Sequence, residues 1–367
     1  MPLCRAGVSR PAQPAPDREE GECTRAVPWA MFFYIIRRLV SVVVMLFIIS
    51  MTTFLVFFAS PVDPASLTCA KNCTPQVIEG NRKLLGFDKP ITVQYANFVK
   101  GLFVARDFPD DPEQKARAPQ TVFTCDAPCL GYSQRQAKSV TEIIKDGLPI
   151  TASIALGAFV LWITSGVFLG IIAALNRGRW IDRLLVGMSL VGYSLPSFFI
   201  GQLLLVFVAI KWQLWPIPNF VPPSEGIGLW AQSIFLPSVT LAAIFGASYV
   251  RLTRAYMLET MAEDYIRTAR AKGVKESVVV RRHGLRAALT PIVTAAGLDL
   301  GGLLGGAIIS EQVFSFRGLG WTSIQAITNT DLPVIVAVVV VASFFIVVAN
   351  LVVDVLYGVI DPRVRMS

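Results

Sequence analysis

The chain has 367 residues, 54% hydrophobic and 16% charged, with a mean hydropathy of +0.58 and a formal net charge of +8. Soluble domains carry about 25% charged residues; the deficit here lies in long uncharged runs, which excludes an ordinary water-soluble fold. The basic excess sits in short loops beside those runs, as membrane topology requires, rather than in a nucleic-acid patch, and a single histidine, His283, excludes any site that needs two imidazoles.

Residues 1–30 are rich in Pro, Arg and Glu and carry no apolar run, so they are not a signal peptide. Glu20-Gly21-Glu22-Cys23 likewise lacks the apolar stretch that precedes a lipidated cysteine. A disordered cytoplasmic tail is expected.

Six segments are long enough to cross a hydrocarbon core, which takes about 20 apolar residues as helix. They are Leu39–Ala59, Gly147–Leu175, Leu184–Ile210 with Pro196 inside it, Gly226–Val250, Ala287–Val313 and Leu332–Val353. The second is long enough to tilt or to extend beyond the bilayer. In the fourth, the part after Pro237 reads as the core of the span. The fifth is interrupted by Asp299 and Glu311 and is the weakest by hydropathy. The expected fold is all-α and polytopic, with residues 31–60 as a first helix, 61–146 as an outer segment and 147–367 as the core.

Orientation follows from Lys and Arg in short flanks. Sixteen fall on the side of the first helix's N-terminus, nine of them between Arg251 and Arg286, against only Lys211 and Arg317 in the short loops opposite. Both termini are therefore expected in the cytoplasm of a bacterial-type plasma membrane. Trp180 then sits at the inner interface and Trp212, Trp215 and Trp230 near the outer one, as an aromatic belt. The outer segment Pro61–Asp146, with 11 basic and 10 acidic residues, is nearly neutral and too long to vote on topology.

That segment holds Cys69, Cys73, Cys125 and Cys129. Outside the cytoplasm oxidation is permitted, so two disulfides are expected, ahead of a four-thiolate zinc site. Three pairings are open, and cross-pairing would close loops worth about 4 kcal/mol in the chain-entropy model.

Catalytic signatures are missing. No G-x-x-x-x-G-K-[ST] loop cradles a nucleotide. Gly226-x-Gly228-x-x-Ala231 opens a membrane helix with no strand before it, and reads as chance. No paired carboxylates or Ser/His pair stand in a context that suggests hydrolysis. The chain is expected to be no enzyme.

Three features invite a functional reading. In Gly297-Leu-Asp299-Leu-Gly301-Gly302-Leu-Leu-Gly305-Gly306, small residues recur every four positions and make a smooth helix face. Plain helix packing and lining of a pathway are both open, and are compatible. Asp299 and Glu311 lie in or beside the fifth span, where charge is costly and usually faces a polar cavity; for Glu311, snorkelling to the interface is as good a reading. Asp354 reads as interfacial. Finally, Glu259 to Gly273 reads as a short charged helix with Glu263 placed to pair with Arg267 and Gly273 as its left-handed stop. It is either a solvated loop helix or a rigid handle for a cytoplasmic partner.

This loop resembles the EAA-type coupling motif of ABC importer permeases, with Arg267-Thr268-Ala269 in the E-A-A slot and Gly273 as the glycine that follows. Its continuation, Arg282-His283-Gly284-Leu285-Arg286-Ala287-Ala288-Leu289-Thr290-Pro291, is similar to the dipeptide/oligopeptide branch. So are Met31-Phe-Phe-Tyr-Ile-Ile-Arg37-Arg38-Leu39, Pro61-Val-Asp63-Pro64-Ala65, and Leu85-Gly86-Phe87-Asp88-Lys89-Pro90 with Gln94-Tyr95. The end carries the closest likeness: Glu311-Gln-Val-Phe314, Gly318-Leu319-Gly320, Asn350 to Tyr357, and Asp361-Pro362-Arg363-Val364-Arg365. Three departures stand out: a longer stretch from Asp107 to Gly131 with its cysteines, Asp299 in place of an uncharged residue, and Arg317 where a proline is common.

The resemblance implies a type I importer. Two homologous permease chains form the pathway, an external binding protein delivers the cargo, and two ATPases carry ATP and Mg, so that this chain binds no cofactor. It implies ATPase coupling through loop 251–289, with Glu263, Asp264, Tyr265, Arg267, Thr268, Ala269 and Gly273 at the contact. Asp299, Gly301, Gly302, Gly305, Gly306 and Glu311 are pathway candidates. Peptides are the default cargo, with glutathione, nickel complexes and haem-like ligands known among relatives. Because the likeness starts at Met31, translation is expected to start there. A secondary transporter would show an intramembrane charge relay and inverted repeats, and only Asp299 speaks for one.

Overall fold

The computed structural model describes residues 27–58, 63–67, 74–109, 115–116, 122–305 and 307–360. The tail before Val27, Cys69, Cys73, Gly306, Arg363 and Arg365 lie outside them. Five helices are long and apolar enough to cross a membrane, and a bent pair makes a sixth span.

Helix α1 (Val27–Phe58) starts before the expected boundary, so Val27–Ala30 is helix rather than tail. The outer segment follows with α2 (Pro64–Leu67), α3 (Pro75–Leu85) and α4 (Ile91–Gly101). Two antiparallel ribbons complete it, β1 (Arg106–Phe108) with β2 (Phe123–Cys125) and β3 (Tyr132–Ser133) with β4 (Lys138–Ser139). Asp63 fixes its start, accepting the Ala65 amide at 3.0 Å and pairing with Arg82 at 2.5 Å. The Thr141 hydroxyl bridges the Leu130 amide and the Pro128 carbonyl at its end. Ser133 donates to Asp331, whose buried carboxyl is pushed above the usual carboxylate range by burial, against the pull of that hydrogen bond.

Cys125 and Cys129 form a disulfide, and both are buried. This pairing is local, four residues apart, and closes only a short loop; Cys69 and Cys73 lie outside the described residues. Mass mapping of the denatured, unreduced protein should find Cys125 and Cys129 alkylated only after reduction. Alkylation without reduction would show that the bond does not form.

Helix α5 (Val140–Leu175) carries the second span and continues past it on the outer side. It packs along α8 (Ile227–Ala262) through a row of glycines. A Cβ on Gly157 would meet Ser238, one on Gly166 would meet Tyr249, and one on Gly170 would meet Thr253, all within 2.6 Å. Trp162, fully buried, stacks on Phe245 with ring centres 4.8 Å apart and anchors the core between these helices.

The third span is not the single helix expected from Leu184–Ile210. It breaks into α6 (Trp180–Ser194) and α7 (Ser197–Leu203, continued as a π-helical turn to Lys211), bent by 100°. Pro196 is the cause: the residue before a proline avoids helical geometry, and Leu195 is extended at φ −83°, ψ 132°.

The connection after α8 holds α9 (Asp264–Ala271), α10 (Glu276–Val278) and a π-helical turn Val279–Gly284. Helix α11 (Leu285–Leu304) follows, then two short helices, α12 (Ile308–Phe314) and α13 (Leu319–Thr328), and α14 (Leu332–Ile360).

The contacts between α11 and α14 set their levels in the bilayer. Gly297, Gly301 and Gly305 face Val353, Ala349 and Ala342 so closely that a Cβ on any of them would collide. Arg38 pairs with Asp354 beside that register, a charged pair of the kind expected at a membrane boundary. At about 1.5 Å per residue, Ala342 stands about 18 Å above Asp354, while the hydrocarbon core is about 30 Å thick. The run expected as a fifth span to Val313 is therefore a composite of α11 and the separate short helix α12.

Candidate functional site

Helices α8 and α11 pack together and form a helical platform. The Tyr249 hydroxyl donates to Asp299 Oδ2 at 2.6 Å, and Asp299 lies only two residues above Gly297. Asp299 is thus close in height to the Arg38–Asp354 pair, and the Tyr249 hydroxyl gives its charge a partner. Past it, α8 runs on from Arg251 to Ala262 and α11 spans Leu285 to Ala296, each stretch about 18 Å long. Sequence alone ended the fourth span at Val250 because hydropathy falls there while helicity continues.

Helix α9 caps this pair. Its one buried residue is Ile266, completely inaccessible, and it packs on the π-helical turn and the end of α8. A Cβ on Gly284 would stand 2.7 Å from the Met261 sulfur, so the glycine lets the turn approach α8. All other α9 side chains are left partly or wholly open: Tyr265 is 46% exposed, and the Arg267 side chain 72%. Thr268 bonds back to the Asp264 carbonyl at 3.0 Å.

One expected pairing is replaced. Glu263 does not face Arg267, because the helix breaks there: Glu263 is extended at φ −64°, ψ 150° between α8 and α9. Arg267 pairs instead with Asp264 at 3.3 Å, one turn away on the same helix. Gly273 stands at φ +74°. Its amide bonds to the Arg270 carbonyl at 2.9 Å and the Val274 amide to the Ala269 carbonyl at 3.3 Å, the two bonds of a Schellman stop. Arg270 then reaches over the turn to grip Glu276 with two hydrogen bonds, 3.0 and 2.6 Å.

A second clamp, missed in the sequence, secures the base of the platform. Arg254 on α8 donates to both oxygens of Asp182 on α6, at 2.6 and 2.8 Å, and the Gly178 amide adds a third bond at 2.9 Å. Asp182 is only 4% exposed. The available signal was an acidic residue in the first turn of a helix, where the dipole favours it, amid a basic flank.

At the other end of the chain, Glu311 is fully buried on α12. It neither snorkels nor opens to solvent. Helix α13 begins at Gly318, which has no side chain to cap its free amides. Two neighbours supply the cap: Glu311 Oε2 accepts from the Trp321 amide at 2.8 Å, and the Thr151 hydroxyl accepts from the Leu319 amide at 2.8 Å. Thr151 in turn donates to Glu311 Oε1 at 2.7 Å. A Cβ on Gly318 would stand 2.5 Å from Glu311 and from Thr151, so glycine is required. Gly301 and Gly305 are occupied by packing against α14, while Gly302 faces open space.

A family model described as "Binding-protein-dependent transport system inner membrane component" matches residues 166–366, and its N-terminal companion matches residues 31–155. The glutathione transport system permease protein GsiC of Escherichia coli (strain K12) is 37% identical over 337 residues, covering 91% of this chain and 99% of that protein. The probable peptide ABC transporter permease protein y4tP of Sinorhizobium fredii is 33% identical over 335 residues, covering 91% and 100%. A putative peptide transport system permease protein of Brucella abortus (strain 2308) is 34% identical over 332 residues, covering 90% and 98%. A crystal structure of an amino acid ABC transporter with histidines matches with a TM-score of 0.41 at 18% identity, over 61% of this chain and 94% of that one, and nothing is built on it.

Proposed function

The chain belongs to the inner membrane components of binding-protein-dependent transport systems, and from that membership we propose that it moves peptide-class cargo, glutathione included, and takes its drive from cytoplasmic ATPases through α9. It is a permease subunit of an ABC importer. The peptide class is supported by the names of relatives that align over nearly their whole length. The coupling role is supported by one observation above others, the seating of α9 on the end of α8 and on the turn that leads into α11, with only Ile266 buried.

Two packed helices of that length transmit a push without bending, and α9 rides on their tips. Ile266 holds α9 down, the Schellman stop and the Arg270–Glu276 clamp fix its end, and the face left open carries Tyr265, Arg267 and Thr268. That is the form of a rigid docking piece, with a charged rim around an aromatic. ATP and Mg would stay on the partner chains. Both termini lie in the cytoplasm in this reading, and a second permease chain completes the pathway.

Mild solubilisation followed by affinity capture of this chain should bring down an ATPase and a second permease. Capture of a chain that alone sustains gradient-driven uptake after reconstitution would replace the importer reading with a secondary transporter.

A further inference from the structure

By sequence, the segment between α1 and α5 lies outside the membrane throughout. The structure sets part of it lower. The Tyr95 hydroxyl on α4 shares a hydrogen bond with Ser50 Oγ at 2.9 Å. Its ring packs edge-on against Phe47 and Phe54 of α1, with centres 5.9 and 5.5 Å apart, and Phe98 lies 6.1 Å from Phe54.

Depth follows by counting along α1 from the Arg38–Asp354 pair. At about 1.5 Å per residue, Ser50 stands about 18 Å above that pair, inside a hydrocarbon core about 30 Å thick. The Tyr95 hydroxyl therefore lies about 12 Å below the outer boundary, deeper than its own side chain can reach from the water side. The backbone of α4 must enter the outer leaflet.

Two further features agree. A hydroxyl at such depth needs a partner, since an unpaired one in hydrocarbon costs several kcal/mol on the order given by transfer to apolar solvent, and Ser50 provides it. On the side turned away from α1, apolar residues are left uncovered: Val93 is 40% exposed, and beyond the helix end Phe103 is 79% and Val104 51% exposed. Lys100, exposed between them, has the reach to snorkel to headgroups.

We propose that α4 and the turn after it lie in the outer leaflet, with Val93, Phe103 and Val104 against phospholipid acyl chains, so that the outer segment is anchored in the bilayer beside the first span. The occupant of this surface is lipid rather than a second protein because of its depth and its continuity with the uncovered face of α1 at the same level, where Ile48, Met51 and Val56 are 55%, 42% and 63% exposed.

The test is photolysis of the complete transporter, reconstituted with a phosphatidylcholine that carries a diazirine midway along one acyl chain, followed by peptide mapping. Adducts are expected within residues 91–104 as well as on the α1 face, which serves as the internal standard. A water-soluble diazirine should label the region of Glu79, whose side chain is 53% exposed, and spare Phe103. Adducts on α1 with none in residues 91–104 would overturn the proposal, whether a partner chain or water covers the surface. Labelling of Phe103 by the water-soluble reagent would do the same.

Discussion

Replacing Glu311 by alanine should destabilise the chain by about 3–5 kcal/mol, with loss of transport and of a monodisperse assembly in detergent. The carboxyl accepts from the Trp321 amide and the Thr151 hydroxyl. A buried donor left without a partner costs about 1–3 kcal/mol, and the cavity left behind adds to that. The damage is not local. Helix α13 would lose the cap at its third residue, and α12, wedged against Gly201 in the elbow of the broken third span, would lose its tie to α5. Glu311→Gln keeps the shape and one acceptor, and should lose substantially less. Thermal unfolding of the purified chain, followed by loss of soluble monodisperse protein, separates the three forms. An alanine variant as stable as the parent would show that the shared cap carries no weight.

The contrast between Glu311 and Asp299 shows what a linear reading can and cannot reach. Both were visible as charges in or near one apolar run, and both were read as candidates for a polar cavity. What differs is height in the bilayer and the identity of the neighbours. Height depends on how α11 registers against α14, and that register is fixed by Gly297, Gly301 and Gly305, each in contact with a helix that starts some 30 residues later. Hydropathy averages over such details. It found a weak fifth span because it ran α11 together with the separate short helix α12. It also cut α8 short, since hydropathy falls at Arg251 while the helix persists on packing around Met257, Ala174 and Ala288.

Local chemistry was read more fully. Gly273 was legible because a left-handed helix stop is a property of one residue and its immediate neighbours. Pro196 was seen but its effect was not: proline restricts the residue before it, yet whether a span bends or kinks slightly depends on what fills the elbow, here Val313 and Phe314. The Glu263–Arg267 pair failed for a related reason. Spacing of four assumes an unbroken helix, and the chain breaks at Glu263 to turn α9 across the tips of α8 and α11. Asp182 and Arg254 lie 72 residues apart, and no pattern in the sequence links them.

The coupling role rests most directly on Gly273→Val. At φ +74° a residue with a Cβ pays roughly 1 kcal/mol or more, and a β-branched one more still. Space is not the issue, since a Cβ at Gly273 meets nothing within 4 Å. The substitution therefore acts only through the backbone: it opposes the two Schellman bonds and shifts Glu276 away from Arg270, leaving Ile266 and the membrane helices in place. Asparagine tolerates the left-handed conformation, so Gly273→Asn is the matched control. The decisive measurement is reconstitution of each form with its partners, recording ATPase association, ATP hydrolysis and cargo uptake side by side. The valine form should insert and pair with the second permease normally, yet bind ATPase weakly or hydrolyse ATP without uptake, while the asparagine form behaves as the parent does. If valine leaves association, hydrolysis and uptake all unchanged, α9 is not the coupling element.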